Sequence, residues 1–487
     1  MKPGMRGGSF NILSDADLQQ VHLASLSLLA DHGVLSRSAS ILEVFQRSGA
    51  RVERASGLIR VSPDMVEVAL QTVPKSFVLH GRDPATDLRL ESGRVYYGMG
   101  GASEPYFWDY ELGRPRPPTK ADMVNCTRLG QALPHVDFVM ALCSAGDAPE
   151  GQTFLHEYDA IFRNTTKPVV YTAPGRRYAA WFLEMAAAAC GGEDNLRRRP
   201  WVAFFVTPTS PFQVTPLDEC IFEAAEFGAP VLLCPGPMMG ATSPATVAGN
   251  LAQTNAEALF VLVLSQLIKP GSPVIYAPMT PAMDMLTAQC TYGSPEQAVG
   301  RTAVAQLGRF YNLPSFGTGA TESKLPDAAA AAEAMLNMLL NALSGLTMTQ
   351  TMGTLASGLY GAPEMLLICD EMAHMIKRVL AGLSVTDETL AVDVIREVGH
   401  GGHFLAHEHT YQYFKQELFF PALFRRQSID QWLEAGGQSI TAVAHERVQD
   451  ILAQAGPAPL PPGADQSLEQ TLRRASEELA RQPVILD

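Results

Sequence analysis

Three groups of residues in this 487-residue chain have types and spacings that bear on chemistry. The first is aromatic. Tyr96, Tyr97, Tyr106, Phe107 and Trp108 fall close together, with Tyr171 and Tyr292 as neighbours the fold would have to bring in. Aromatic faces attract quaternary ammonium groups through the ring quadrupole, at ~0.5–2 kcal/mol per contact. The same residues would also serve as the core and edge of a hairpin, and composition alone favours that packing role.

The second group is the segment GTGATESKLPD (Gly317–Asp327), which carries Glu322, Lys324 and Asp327 on one loop. An acid/base or substrate-anchoring cluster would use these types. Asp327, after Pro326 and before an alanine-rich run, has the character of a helix N-cap. Glu322 and Lys324 stay open between substrate contact and a solvated loop. The third group is His400-x2-His403-x3-His407-Glu408-His409. His403 and His407 at i, i+4 would share a helical face, as metal ligands do. The run H-F-L-A-H lacks the glutamate that a zincin sets beside its first histidine, and Gly401-Gly402 disturb the helix. Glu371-x-x-His374 resembles half of a di-iron site with no second copy. No metal is expected, and the histidines belong on the surface or between lobes.

The elements that must position these groups alternate. Short buried runs (PVVYTA, VAFFVT, PVLLCP, PVIYAP) mark strands among Val95–Gly98, Asp137–Cys143, Pro168–Thr172, Trp201–Val206, Pro230–Cys234, Pro273–Ala277, Pro314–Gly317 and Leu346–Gln350. Helical patterns start near Thr119, Gln152, Arg177, Leu217, Pro244, Pro295, Asp327 and Pro363. Strand and helix in strict alternation imply right-handed crossovers and a parallel sheet. Eight such units predict a (β/α)8 TIM barrel over residues 91–382, with an open doubly wound sheet as the alternative. Residues 1–90 read as an N-terminal helical lobe, with helices opening at Ser14, Ala39 and Ser62-Pro63. Residues 383–487 read as a C-terminal helical extension, interrupted by the stiff, solvated linker AGPAPLPPGADQ.

Composition removes several classes of function. With 36 basic and 50 acidic side chains the formal charge is −14, and no basic block is present, so nucleic acid is a poor partner. Seven scattered cysteines without a C-x-x-C pair fit a reducing cytosol. The N-terminus has no apolar run behind its basic residues, and the apolar stretch around Ala258–Leu264 falls short of the ~20 residues of a membrane span. The expectation is a cytoplasmic protein without membrane contact. The tail HFL…FFPALF offers a surface for a homo-oligomer.

A barrel puts its chemistry at the C-terminal ends of its strands. Those ends here carry Gly, Pro, Thr, Met and Tyr, with no histidine, few carboxylates and no phosphate loop. A hydrolase or aldolase would show a base–nucleophile pair or a metal cluster there.

The motifs HGRDP (His80–Pro84), YYGMGG followed by Trp108-Asp109, NTTKP (Asn164–Pro168), FYNLPSFGTGATESKLPDA (Phe310–Ala328), PEMLLICDEM (Pro363–Met372) and GGHFLAHEHTYQYFKQELFFPALFRR (Gly401–Arg426) resemble the trimethylamine methyltransferase family. The resemblance spans the chain to about residue 450 and implies a TIM barrel. It implies transfer of a methyl group from an N-methylated amine to a Co(I) corrinoid (cobalamin) carried by a separate corrinoid-binding protein. With only the twenty ordinary letters, the chain resembles the branch without pyrrolysine, whose members act on quaternary amines such as glycine betaine. Methyl transfer to cobalt needs a cation cage, in-line orientation and exclusion of water, not a general base. On that reading Tyr96, Tyr97, Tyr171 and Tyr292 form the cage, and Lys324 pairs with a betaine carboxylate. Glu322 is the catalytic carboxylate that complements the cation, and Gly98, Gly100, Gly101 and Thr318 face the corrinoid. The alternatives are transfer to tetrahydrofolate and a non-catalytic betaine-binding protein.

Overall fold

The computed structural model describes residues 1–2, 4–102 and 104–482. Its centre is a parallel barrel of β1 (Arg94–Ala102), β2 (Phe138–Ala141), β3 (Val169–Tyr171), β4 (Val202–Val206), β5 (Val231–Leu233), β6 (Val274–Tyr276), β7 (Phe316–Thr318) and β8 (Met348–Met352). Neighbours in sequence pair in space from β1 to β6, β7 pairs with β8, and β8 pairs with β1. The remaining gap closes through a parallel bridge between Tyr276 and Ser315, with the Tyr276 N–H donating to Pro314 O at 2.9 Å. Each strand is followed by a helix: α1 (Lys120–Ala132), α2 (Thr153–Asn164), α3 (Gly175–Ala189), α4 (Cys220–Phe227), α5 (Val247–Ile268), α6 (Pro295–Phe310), α7 (Ala328–Ser344) and α8 (Pro363–Leu380). The strands are buried on both faces, which explains their continuous apolar runs. The helices start where side chains satisfy the first free N–H groups: Thr119 with Asp122, Thr246, Ser294 and Asp327 all cap.

The barrel interior is filled by Tyr96, Phe138, Met140, Val170, Phe205, Ile275, Phe316 and Met348 among others. Leu79, Leu88 and Leu90 join this cluster from an antiparallel hairpin, Ser76–Leu79 with Leu88–Glu91. The hairpin plugs the N-terminal end of the barrel, so the first lobe is not purely helical. Its three helices, Asp15–Ser27, Ala39–Arg47 and Pro63–Thr72, are accompanied by short strands at Val34–Ser36, Arg51–Glu53 and Leu58–Arg60. Val34–Ser36 also pairs with Gln213–Val214 of the loop after β4, which ties the lobe to the C-terminal mouth.

Helix α5 runs for 22 residues and is long and apolar enough to cross a membrane. It is instead packed between the barrel and the N-terminal helices, with 83% of its apolar window buried, so its composition serves a core. In the C-terminal region, helices Ile440–Gln454 and Ala464–Arg481 pack on α8 and α1 and on α3 and α2 respectively. The segment expected to be a solvated linker lies partly against the barrel. Ala458 is buried and its N–H donates to Arg163 O at 3.0 Å, while the Arg82 guanidinium donates to Pro459 O at 2.7 Å.

Candidate active site at the mouth of the barrel

A cavity of about 540 Å³ opens at the C-terminal ends of the strands. Its wall comes from the ends of β1 (Gly101, Glu104), β4 (Phe205, Thr207, Ser210), β5 (Cys234, Gly236, Met238), β6 (Met279, Tyr292), β7 (Thr318) and β8 (Gln350, Thr351, Ser357). No histidine, lysine or arginine is in this lining among the described residues, and its ionisable groups are Glu104, Cys234 and Tyr292. Burial pushes the Cys234 thiol and the Tyr292 phenol far up, so neither is a ready nucleophile or base. Two lining groups have a buried oxygen without a hydrogen-bond partner among the described residues, Glu104 through Oε2 and Gln350 through Oε1. The Gln350 oxygen is an acceptor, and the Glu104 carboxyl accepts when ionised and carries one O–H donor when protonated.

The wall is held from behind. Tyr292 is gripped at both ends of its backbone: Glu322 Oε1 accepts from the Tyr292 and Gly293 N–H groups, the latter at 2.6 Å, and Arg301 donates to Tyr292 O at 3.2 Å. The other Glu322 oxygen accepts from the Ser357 hydroxyl. Arg301 is fully buried, without a carboxylate partner among the described residues, and desolvation pulls its guanidinium down to about 9. Its other contact is Asn337 Oδ1. Ser210 donates to Glu257 Oε2 at 2.6 Å, and Glu257 also takes the Phe212 N–H and the Gln253 amide.

The end of β8 and the segment after it have positive φ at Thr351, Ala356 and Ser357, costly for residues with a Cβ. Thr351 is fixed there by its hydroxyl, which accepts from the Gly319 N–H at 2.8 Å and lies 2.7 Å from Thr318 Oγ1. Backbone strain at the wall of a cavity is characteristic of a functional site.

Of the residues proposed from the sequence, the structure brings Tyr292, Gly101 and Thr318 to this cavity. Others point elsewhere, because side chains alternate across a strand. Tyr97 faces outward and donates to Met338 O of α7 at 3.2 Å, and Tyr171 faces outward and donates to Glu157 Oε2 at 2.6 Å. Tyr96 faces inward at the opposite end, its hydroxyl donating to Arg89 O of the plug at 3.1 Å. The four-tyrosine cage is therefore corrected to one tyrosine. Gly98 is covered by the Phe138 ring and Gly100 abuts the β2 backbone, so neither can face a cofactor. Lys324 is exposed and folds back onto Glu322 O at 2.7 Å. Glu322 stands behind the wall and holds it. Asp327 caps α7 through the Ala329 and Ala330 N–H groups.

The histidine run does not form one helical face. His407 is the N-cap of a helix that begins at Glu408, and His403 precedes it in an irregular turn. Glu371 accepts the Ala422 N–H, and His374 stacks on His135. Trp108 stacks on Tyr360 and Phe107 lies beneath Arg116, so these rings pack. Sequence reasoning missed Glu104, Gln350 and Ser357. Tyr97→Phe is expected to leave affinity for a methylated amine within about twofold by calorimetry, and to lower unfolding free energy by about 1 kcal/mol in urea titrations. A tenfold loss of affinity would contradict the outward placement.

Comparison with known proteins gives the family of this chain. The family model "Trimethylamine methyltransferase (MTTB)" matches residues 3–480. The trimethylamine methyltransferase MttB of Desulfitobacterium hafniense strain DCB-2 is 38% identical over 96% of this chain and 93% of its own. The glycine betaine methyltransferase of D. hafniense strain Y51 is 31% identical over 97% of this chain and 98% of its own. The crystal structure of the Methanosarcina barkeri monomethylamine methyltransferase (MtmB) covers 94% of this chain and 97% of its own, at a TM-score of 0.49 and 12% identity. With the family model and both relatives spanning nearly the whole sequence, the chain belongs to the trimethylamine methyltransferase family and is a methyltransferase.

Proposed function

We propose that this enzyme moves a methyl group from a quaternary, betaine-like amine to the Co(I) corrinoid of a partner protein. The observation that carries this reading is the composition of the cavity: two aromatic rings (Phe205 and Tyr292), hydroxyls, small residues and a buried acid, without a basic side chain among the described residues. Such a lining suits a permanent cation and has no base–nucleophile pair for hydrolysis. A corrinoid, when bound, supplies a cobalt nucleophile strong enough to take a methyl group from a quaternary nitrogen. This chain's part is to hold the cation against Tyr292 and Phe205, to orient it by the shape of the wall to which Thr318, Thr351 and Ser357 belong, and to keep water out.

The surface beside the mouth fits a corrinoid presented from outside. Met285 and Leu286, at the tip of the hairpin Ala282–Met283/Cys290–Thr291, are 73% and 97% exposed, and Leu325 and Leu359 project from the loops after β7 and β8. Exposed apolar tips around a cavity mark an interaction surface. The cysteines are free and mostly buried, which suits a reducing compartment, and we place the reaction in the cytoplasm.

The test is methyl transfer to cob(I)alamin, followed by loss of the Co(I) absorbance after addition of glycine betaine, tetramethylammonium or trimethylamine. Transfer from a quaternary substrate is expected. Transfer only to tetrahydrofolate, or from trimethylamine alone, overturns the acceptor or the substrate class respectively.

A further inference from the structure

Glu104 occupies an unusual position for a carboxyl. It lies on the loop after β1, 2% exposed, in the wall of the mouth cavity. Its Oε2 has no hydrogen-bond partner among the described residues, and Oε1 sits so close to Gly101 that a Cβ there would approach to 2.7 Å. The charged group that acts on it is another acid, Glu157 on α2, which is itself engaged by Tyr171 and by the Ala145 N–H. The Cys143 thiol beyond β2 also senses Glu104, and it carries no positive charge. A buried carboxyl is ordinarily paired, because an isolated charge there is costly. Here the partner it lacks is a cation, and the cavity it lines has room for one.

We propose that Glu104 recognises the positive charge of the substrate by exchanging its own proton for the bound cation. This rests on the quaternary-amine reading and deepens it. Before the cation binds, burial outweighs the opposing hydrogen bond from Glu104's own N–H and, with Glu157 adding to it, pushes the carboxyl up to about 8, so it is neutral at pH 7. Entry of a quaternary ammonium beside it favours the carboxylate, and the O–H proton leaves through the cavity to solvent. The balance is one neutral acid plus one cation giving one carboxylate–cation pair and one released proton.

The sign follows. A raised carboxyl must lose its proton to bind, so affinity increases as pH rises toward 8 and levels off above it. From pH 7 to pH 9 the affinity for a permanent cation is expected to rise about tenfold, with proton release falling from nearly one per cation toward zero.

The experiment is isothermal titration calorimetry with tetramethylammonium and with glycine betaine, which carry no proton that titrates near neutrality. Each is run at pH 7 and pH 9 in two buffers of different ionisation enthalpy. Wild-type protein is expected to release close to one proton per cation at pH 7. Glu104→Gln is expected to release none and to lose the pH dependence, and Glu104→Asp to retain both. Binding without proton release in the wild type, or release unchanged in Glu104→Gln, overturns the role of Glu104 and leaves the cation reading standing. No binding of either permanent cation overturns both.

Discussion

Glu322→Ala is expected to lower kcat/KM for methyl transfer about 100- to 1000-fold while the barrel stays folded. The carboxylate takes the N–H groups of Tyr292 and Gly293 on one oxygen and the Ser357 hydroxyl on the other. It therefore ties the loop after β6 to the strained segment after β8, and both line the cavity. Hydrogen bonds to a charged group contribute ~1.5–3 kcal/mol each, and removing the acceptor also strands two backbone donors. A loss of about 3–4 kcal/mol in positioning corresponds to two to three decades in rate. Glu322→Gln keeps one acceptor oxygen and turns an amide toward the other donors, so an intermediate loss is expected. Steady-state transfer to cob(I)alamin measures this, with KM rising more than kcat falls if Tyr292 holds the substrate cation. A change below threefold in the alanine variant would mean that Glu322 does not hold the wall. The carboxylate read as catalytic from its loop is thus a positioning residue, one step behind the substrate.

The contrast between what was legible in the sequence and what was not follows the physics of each signal. The eight strands and eight helices announce themselves because a doubly buried strand must be a short apolar run and each helix carries its own cap. The plug hairpin was hidden because four-residue strands carry little periodicity, and Leu88–Glu91 alternates like many loops. Within the site the decisive variables were side-chain direction and burial. Neighbouring Tyr96 and Tyr97 cannot both face one cavity, since alternate residues of a strand face opposite ways. That much was available from the sequence, whereas which face is inner, and how far along β1 the mouth begins, required the barrel. Tyr292 was reachable because its loop follows β6. Glu104 was not, because a lone acid in GGASEPYF has no partner by spacing, and its chemical interest lies entirely in being buried without one. The histidine run failed for a related reason: spacing implies a shared face only if the helix extends through both residues, and here it starts after His407.

Gly100→Ala is expected to destabilise the fold by about 3–5 kcal/mol, enough to cost much of the stability of an ordinary domain. Two effects add. Gly100 sits at φ +70°, where a residue with a Cβ loses ~1–2 kcal/mol, and the new methyl would lie 2.0 Å from Ala141 O and 2.5 Å from Ala141 C. These are backbone atoms of β2 at the point where Ala141 pairs with both Gly101 and Ala102, so relief requires breaking the β1–β2 register beside the mouth. Gly98→Ala offers the comparison. Its methyl would meet the Phe138 ring at 2.3 Å, and a ring in an apolar interior can shift, so a smaller cost of about 1–3 kcal/mol is expected. Gly49, with φ +85° and nothing near, should lose only about 1 kcal/mol on the same substitution. Urea unfolding followed by circular dichroism orders the three variants directly. If Gly100 served a cofactor, its alanine variant would unfold like wild type and fail only in methyl transfer. A close approach of two strands predicts the reverse, with the unfolding midpoint falling first and activity lost in proportion to the folded fraction.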